Sequence, residues 1–374
     1  MNVQSGKYAL RINAMRITIV GGGNIGTQFA VHCAEKEHEV IVYTSNPSIY
    51  DGHVNIVDEN GITTHEGTIR LATNEPKVAF ENAELIIITF PAMLMDSIAK
   101  IIYEYANHKA IIGVVPGSGG SECAFRKCIE RGNVFFGIER VPAIARLITK
   151  GKTVKSTGYR CELHVASIPH DALDQCCKLV QGIFDIPCLP IPNYLNLTLT
   201  PSNPILHTTR LRTIFKDYHE GMIYPNLPLF YEEWDDESSE LLLACDDEVQ
   251  SICKALPEFQ LNYVKSLREH YESPTVSEMT KKISSIVAFK GLKTPAIEVN
   301  GGFIPDFHSR YFTSDFSYGL VIIMQIADFA GISSPNINHT MDWYRDFATE
   351  NTEFKFKKYG ICDYKLFRAY YLGL

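Results

Sequence analysis

Residues 16–26 read Arg-Ile-Thr-Ile-Val-Gly-Gly-Gly-Asn-Ile-Gly, and this stretch decides the fold of the first half of the chain. Met15–Val20 is a short β-branched run that suits a buried strand. Gly21, Gly23 and Gly26 then fall at the spacing G-x-G-x-x-G, and Thr27–Glu35 reads as a helix. Each glycine has its own task. Gly21 permits the tight turn, Gly23 lets backbone approach a pyrophosphate, and Gly26 lets helix pack on strand. The helix start, with Asn24 and Ile25, presents unpaired N–H groups and the positive end of a dipole to the phosphates. The spacing alone is weak. A strand before it, a helix after it and a place near the chain start make it a dinucleotide fingerprint.

Outward from this loop the pattern repeats. Glu39–Tyr43, Leu85–Thr89, Ala110–Val115, Val134–Ile138 and Leu163–Ser167 are further short apolar runs. Helical stretches such as Asp96–Tyr105 and Ser121–Arg131 separate many of them. Strands alternating with helices predict a mostly parallel sheet covered on both faces. Beyond about residue 200 long helical stretches take over: Ile205–Tyr218, Ser238–Ala255, Glu258–Tyr271, Val276–Ile286, Phe316–Ala330 and Ile337–Ala348. The expected architecture is an α/β Rossmann-type dinucleotide-binding domain over 1–200, with an N-terminal extension at 1–14. An all-α domain over 201–374 follows it.

The 374 residues suit two cores better than one. A hydrophobic fraction of 45% excludes general disorder, and a net charge of −8 argues against a nucleic-acid partner. Nine acids and no base fall between Glu232 and Glu248, so the rest of the chain carries a formal +1 against that −8. The expected reading of this segment is a solvated face; the sharper one is a field that attracts a cationic amine. Ten cysteines without a CxxC pair predict buried free thiols and no metal centre. No stretch reaches the roughly 20 apolar residues of a membrane span, and no signal peptide is visible, so a cytoplasmic location is expected.

The residues after the second strand should choose the cofactor. An acid there favours NAD. Thr44, Ser45 and Asn46 stand there instead, with no base adjacent. Hydroxyls and an amide can bind a 2′-phosphate, so the reading is NAD or NADP with a slight lean to NADP. FAD is disfavoured, because nothing else in the chain suggests a flavin site. Two more loops end strands where ligands bind in open α/β sheets. One contains Pro91, beside the cofactor; the other contains Ser118, near the nicotinamide or substrate. Glu139 ends the next strand and could hold a substrate ammonium, although a solvated loop acid is the stronger reading.

In the helical half, Asn203-Pro204-Ile205-Leu206-His207 looks like a helix start, with Asn203 as N-cap and Pro204 in the first turn. His207 would sit one turn in. Taken alone it reads first as an ordinary core or surface histidine. Asp315 precedes the apolar run Phe316–Ala330, so a plain N-cap is a strong reading for it. Arg310 lies five residues earlier; its guanidinium fits a substrate carboxylate and a surface ion pair equally well.

A nucleotide-binding domain followed by a helical domain with Asn-Pro-Ile-Leu-His at 203–207 and Arg-Tyr-Phe-Thr-Ser-Asp at 310–315 resembles the octopine/nopaline (opine) dehydrogenase family. The resemblance covers nearly the whole chain from Met15. It implies that His207 is the catalytic acid/base, Asp315 its partner and Arg310 a ligand of the 2-oxo acid carboxylate. Asn203 would join the substrate site. The implied reaction is NAD(P)H-dependent condensation of an amino acid amine with a 2-oxo acid such as pyruvate. Two other readings stay open: a 2-oxo acid reductase resembling ketopantoate reductase, and a non-catalytic NAD(P)-binding sensor. The first needs a catalytic lysine, and Lys265, Lys281 and Lys282 sit in no recognisable motif. The identity of either substrate and the oligomeric state have no signal in the sequence.

Overall fold

The computed structural model describes residues 13–348 and 353–374. Most of the expected extension at 1–14 therefore lies outside the described residues. Contacts divide the chain into two compact units, one ending at Leu197 and one beginning at Thr198.

The strands of the first unit open with β1 (Arg16–Val20), β2 (Glu39–Tyr43), β3 (His53–Val57), β4 (Thr63–Thr68), β5 (Leu71–Thr73) and β6 (Leu85–Ile88). They continue with β7 (Ile111–Val114), β8 (Phe135–Ile138), β9 (Ile144–Thr149), β10 (Thr153–Thr157), β11 (Leu163–Ile168) and β12 (Cys188–Pro190). An eight-stranded sheet runs in the order β12-β11-β8-β7-β6-β1-β2-β5. Its pairings are parallel except for antiparallel β8–β11. The central strands β6, β7 and β8 are buried at every position. Both faces are covered, so these strands are continuous apolar runs without alternation. Each fully buried Ile or Val, such as Ile19, Ile87 or Val114, contributes roughly 1.5–3 kcal/mol.

A second sheet, β4-β3-β10-β9, was not foreseen. It packs on the helix Asn24–Glu35, whose residues Gly26–Cys33 are all buried. Gln28 donates to the Ser156 hydroxyl at 2.8 Å, so even a polar residue of this helix is tied to the sheet. β4 reads Thr-Thr-His-Glu-Gly-Thr and has no fully buried position. That composition hid it from any hydrophobic pattern.

The second unit is helical, with one β-hairpin, β13 (Ala296–Val299) and β14 (Gly302–Pro305), where only helices were expected. The predicted helix Glu258–Tyr271 does not form. Gln260 adopts φ 52 and turns the chain, leaving only the short helix Leu267–His270. The predicted helix Phe316–Ala330 divides into a π-helical turn, Phe316–Leu320, and an α-helix, Val321–Ala330. All ten cysteines are free thiols; Cys161 and Cys362 are exposed, contrary to the expectation of burial. Among the described residues no helix is long and apolar enough to cross a membrane.

Candidate active site

The glycine loop has the geometry its spacing implies. Gly21 adopts φ +108, and a Cβ on Gly26 would lie 1.8 Å from the Gly21 carbonyl oxygen. A Cβ on Gly23 would meet nothing within 4 Å, so space is open above the helix start. Gly23 caps the helix without a side-chain hydrogen bond, which leaves the first-turn N–H groups for a phosphate. Beyond the ends of β2 and β6 lies a cavity of about 370 Å³, lined in part by Tyr43, Thr44, Ser45, Asn74 and Phe90. The open backbone of the loop and this cavity at the sheet edge leave room of the kind a dinucleotide needs.

The individual expectations fare differently. Thr44 is half-buried, Ser45 and Asn46 are exposed, and Pro91 is half-buried before the turn Ala92–Leu94. Ile25 packs against the sheet core. The Asn24 side chain is turned the other way: its Oδ1 accepts the Leu147 N–H at 2.9 Å and pins β9 to the loop. Glu139 is no solvated acid. Its carboxylate takes Arg140 at 3.0 Å and His164 at 3.1 Å, and its side chain is 16% exposed. Burial raises its affinity for a proton, but the bonds from His164 and Arg140 outweigh that and hold it below the ordinary carboxylate range. A substrate ammonium would meet a carboxylate already engaged by Arg140 and His164. Ser118 is half-buried on its loop.

The helical unit supplies a second group of candidate residues. The helix Asn203–Ile214 is buried from Ile205 to Leu211. Its cap is Ser202, so Asn203 is the first helical residue rather than the N-cap, and its side chain is exposed. Buried Thr208 and Thr209 satisfy their hydroxyls on carbonyls one turn back. His207 therefore points into a packed interior. Its Nδ1 lies 2.7 Å from Asp315 Oδ2, with the side chains 10% and 19% exposed. A carboxylate only accepts, so Nδ1 carries the proton and Nε2 is the ring atom left for chemistry. Asp315 makes no cap bond, which sets aside the capping reading.

Two features bring these residues together across 108 positions of sequence. The π-helical turn is closed by the Leu320 N–H on the Asp315 carbonyl at 2.7 Å. Such turns are rare and occur often at functional sites. Gly319 lies in that turn, and a Cβ there would come 2.9 Å from Pro204 Cβ and Cγ. Only glycine lets the turn lie so close to the His207 helix.

Sequence reasoning missed Tyr231. Its hydroxyl lies 2.6 Å from His207 Nε2. Burial holds the phenol well above its ordinary range, so it stays protonated and donates to that nitrogen. Tyr231 stacks on Phe289 at 4.2 Å, and Tyr311 lies against the His207 ring at 4.5 Å. A lone tyrosine in the Tyr-Glu-Glu-Trp run at 231–234 carries no motif, so no sequence signal could have found it. Arg310 is exposed and forms no ion pair among the described residues, so its guanidinium is available to an anion.

Arg210, one turn beyond His207, is fully buried and holds the segment that carries Tyr231. It donates to the Phe230 carbonyl at 3.0 Å, the Glu233 carbonyl at 2.5 Å and Asp235 at 2.7 Å. Asp235 also caps the helix Asp236–Ala255. The acidic segment is thus largely framework. Glu237 pairs with Lys216, Asp247 pairs with Arg268, and Glu248 accepts the N–H groups of Asn336 and Ile337 at a helix start. Asp235, Glu237 and Asp247 are thus paired with Arg or Lys, three of the nine acids of the segment. Lys265 and Lys282 sit in exposed ion pairs with Glu269 and Glu272.

Comparison with known proteins follows the same division. Residues 190–348 match the family model "NAD/NADP octopine/nopaline dehydrogenase, alpha-helical domain". Residues 17–158 match that of ketopantoate reductase PanE/ApbA, which covers the nucleotide-binding part and not the His207 centre. An opine dehydrogenase of Haliotis discus hannai is 27% identical over 361 residues, spanning 87% of this chain and 88% of that protein. An octopine dehydrogenase of Mizuhopecten yessoensis is 25% identical over 308 residues, spanning 78% and 77%. A solved octopine dehydrogenase with NADH and L-arginine superposes with a TM-score of 0.82 at 21% identity, over 96% of this chain and 98% of that one. The glycine loop, the helical unit and these likenesses agree: the chain is similar over most of its length to opine and octopine dehydrogenases, and residues 190–348 match the helical domain of that family of NAD(P)-dependent oxidoreductases.

Proposed function

We propose that this chain joins the amine of an amino acid to a 2-oxo acid such as pyruvate and reduces the product with NAD(P)H. The observation that carries the reading is the His207–Asp315 pair, a buried imidazole with one nitrogen fixed on a carboxylate. A solved octopine dehydrogenase is described with NADH and L-arginine and, in a second structure, with NADH and pyruvate, which supports the two substrate classes.

The amine adds to C2 of the oxo acid, a C–N bond forms, and the C–O bond breaks as water leaves. The bound cofactor supplies hydride to the imine carbon. His207 Nε2 takes a proton from the substrate ammonium, which frees the amine to attack, and then gives that proton to the oxygen so that it departs as water. Asp315 keeps Nδ1–H in place and stabilises the charged ring. Arg310 pairs with the oxo acid carboxylate and sets its carbon in line for the hydride. Tyr231 is a positioning residue: it holds Nε2 in one orientation until substrate takes its place. Asn203, Ser118 and Glu139 carry no step in this scheme.

The test is cofactor oxidation with NADH and NADPH, using a panel of oxo acids with and without amino acids. Turnover should need both substrates. Oxidation by an oxo acid alone would favour the reductase reading, and tight cofactor binding without turnover would favour the sensor. Tyr231→Phe should lower kcat by the worth of one hydrogen bond, about 1 kcal/mol or roughly fivefold, with NAD(P)H affinity unchanged.

A further inference from the structure

A cluster of ligand-type side chains lies in the first unit, and the proposed reaction makes no use of it. The helix opened by the glycine loop ends with His32 and Glu35, one turn apart on one face. β4 runs beside that last turn. A Cβ on Gly67 would come 2.6 Å from Ala34 Cβ and 2.9 Å from the Glu35 nitrogen, so strand and helix are in backbone contact there. His65 stands two residues before Gly67, on the same face of the strand. The close approach therefore sets its ring against the helix. His65 Nδ1 lies 2.8 Å from Glu35 Oε2, and its ring lies 4.7 Å from that of His32. One nitrogen of each histidine and one oxygen of Glu35 all lie within 4.8 Å of one another. His32 is 3% exposed, and its Nε2 lies 2.9 Å from the Tyr159 hydroxyl. The side chains of His65 and Glu35 are 33% and 35% exposed. The cluster is rooted in the interior and open to water on one side. Lys36, the adjacent cation, is turned to Asp185 at 2.5 Å.

We propose that His32, Glu35 and His65 bind a divalent transition-metal ion of the Zn²⁺ class, with Tyr159 as the outer partner that orients His32. Two imidazoles and a carboxylate are a Zn²⁺ donor set; Mg²⁺ and Ca²⁺ ask for oxygen alone. The donors need to close to about 3.3 Å for tetrahedral bonds of about 2.0–2.1 Å. Glu35 and His65 are exposed enough to make that adjustment, giving up their mutual hydrogen bond. Water fills the fourth position. The ion ties the end of the glycine-loop helix to the second sheet, so it acts on stability and not on hydride chemistry.

The experiment uses the full chain, stripped with a chelator and titrated with Zn²⁺ alone. Calorimetry should show one equivalent bound, and the Tm should rise with metal concentration. Mg²⁺ should do neither, and Co²⁺ should give a tetrahedral ligand-field spectrum. His65→Ala, at a partly exposed site, should remove the bound equivalent and the spectrum while leaving the circular dichroism of the fold. Tyr159→Phe should weaken Zn²⁺ by about 10–100-fold. Absence of binding at micromolar Zn²⁺ overturns the proposal. So does an equivalent that survives His65→Ala, because exposed thiols such as Cys161 and Cys362 would then be holding the metal.

Discussion

The glycine loop and the His207 centre differ in what they present to a ligand. The loop presents backbone. As a proposed pyrophosphate cradle it depends on side chains being absent at Gly21, Gly23 and Gly26, and all of it lies within six consecutive residues. The His207 centre presents side chains drawn from positions 207, 231 and 315, held by a π-helical turn and a buried arginine. A backbone site fails when an atom is added. A side-chain site fails when an atom is removed or its support shifts. The two should therefore respond to different substitutions and show up in different measurements.

The largest effect should come from His207→Ala. It should lower kcat by about 10²–10⁴, the usual worth of an acid/base group, while NAD(P)H binding followed by fluorescence stays at wild-type strength. Parallel loss of cofactor affinity would break the division between the two regions. Gly26→Ala should do the reverse. Its Cβ would meet the Gly21 carbonyl oxygen at 1.8 Å, and that contact is backbone, which cannot swing away. Overpacking of this kind costs about 1–3 kcal/mol, so the cofactor Kd should rise by roughly tenfold, with part of the cost seen as a lower Tm. Unchanged affinity would show that the loop does not cradle the pyrophosphate.

Gly319→Ala sharpens the comparison, because here a glycine serves the side-chain site. The added Cβ would press on the Pro204 ring and move the π-helical turn from the His207 helix. A shift of a fraction of an ångström at a positioned catalytic pair should cost several-fold in kcat. Cofactor affinity should not move. A variant with wild-type kcat would mean that the Asp315–His207 bond does not depend on this close approach.

Legibility in the sequence follows the same line. The strands β1, β2, β6, β7 and β8 are continuous apolar runs, and the glycine spacing is contiguous, so local reading places both. β4 escaped because it is polar and rests on a helix through a glycine rather than through a hydrophobic face. Glu258–Tyr271 misled because Phe259, Leu261, Val264 and Leu267 are buried at helix-like spacing around a turn. Asp315 and Arg310 could be named only through a family resemblance, since an acid before an apolar run is first of all a cap. Tyr231 could not be named at all. Its role exists only because Arg210 holds the Phe230–Asp235 segment against the His207 helix, and that is a tertiary fact.

The smallest expected effect asks whether the acidic segment belongs to the chemistry or to the framework. Asp246 lies 2% exposed on the helix Asp236–Ala255 and accepts the Leu267 N–H at 2.9 Å. Burial raises its carboxyl to about 6, and that hydrogen bond offsets the burial only in part. The fold thus favours the protonated acid over the ion. Stability from this group is full below the unfolded carboxylate pKa of about 4 and is lost as the pH rises through about 6. Asp246→Asn keeps an oxygen for Leu267 and removes the charge. It should raise stability by on the order of 1 kcal/mol at pH 8 and by little at pH 4, read from Tm at the two values. Turnover and cofactor affinity should match the wild type, because framework acids touch neither region. A rise in KM for the amine would instead make the segment part of the substrate's attraction, and the boundary of the side-chain site would have to be redrawn to include it.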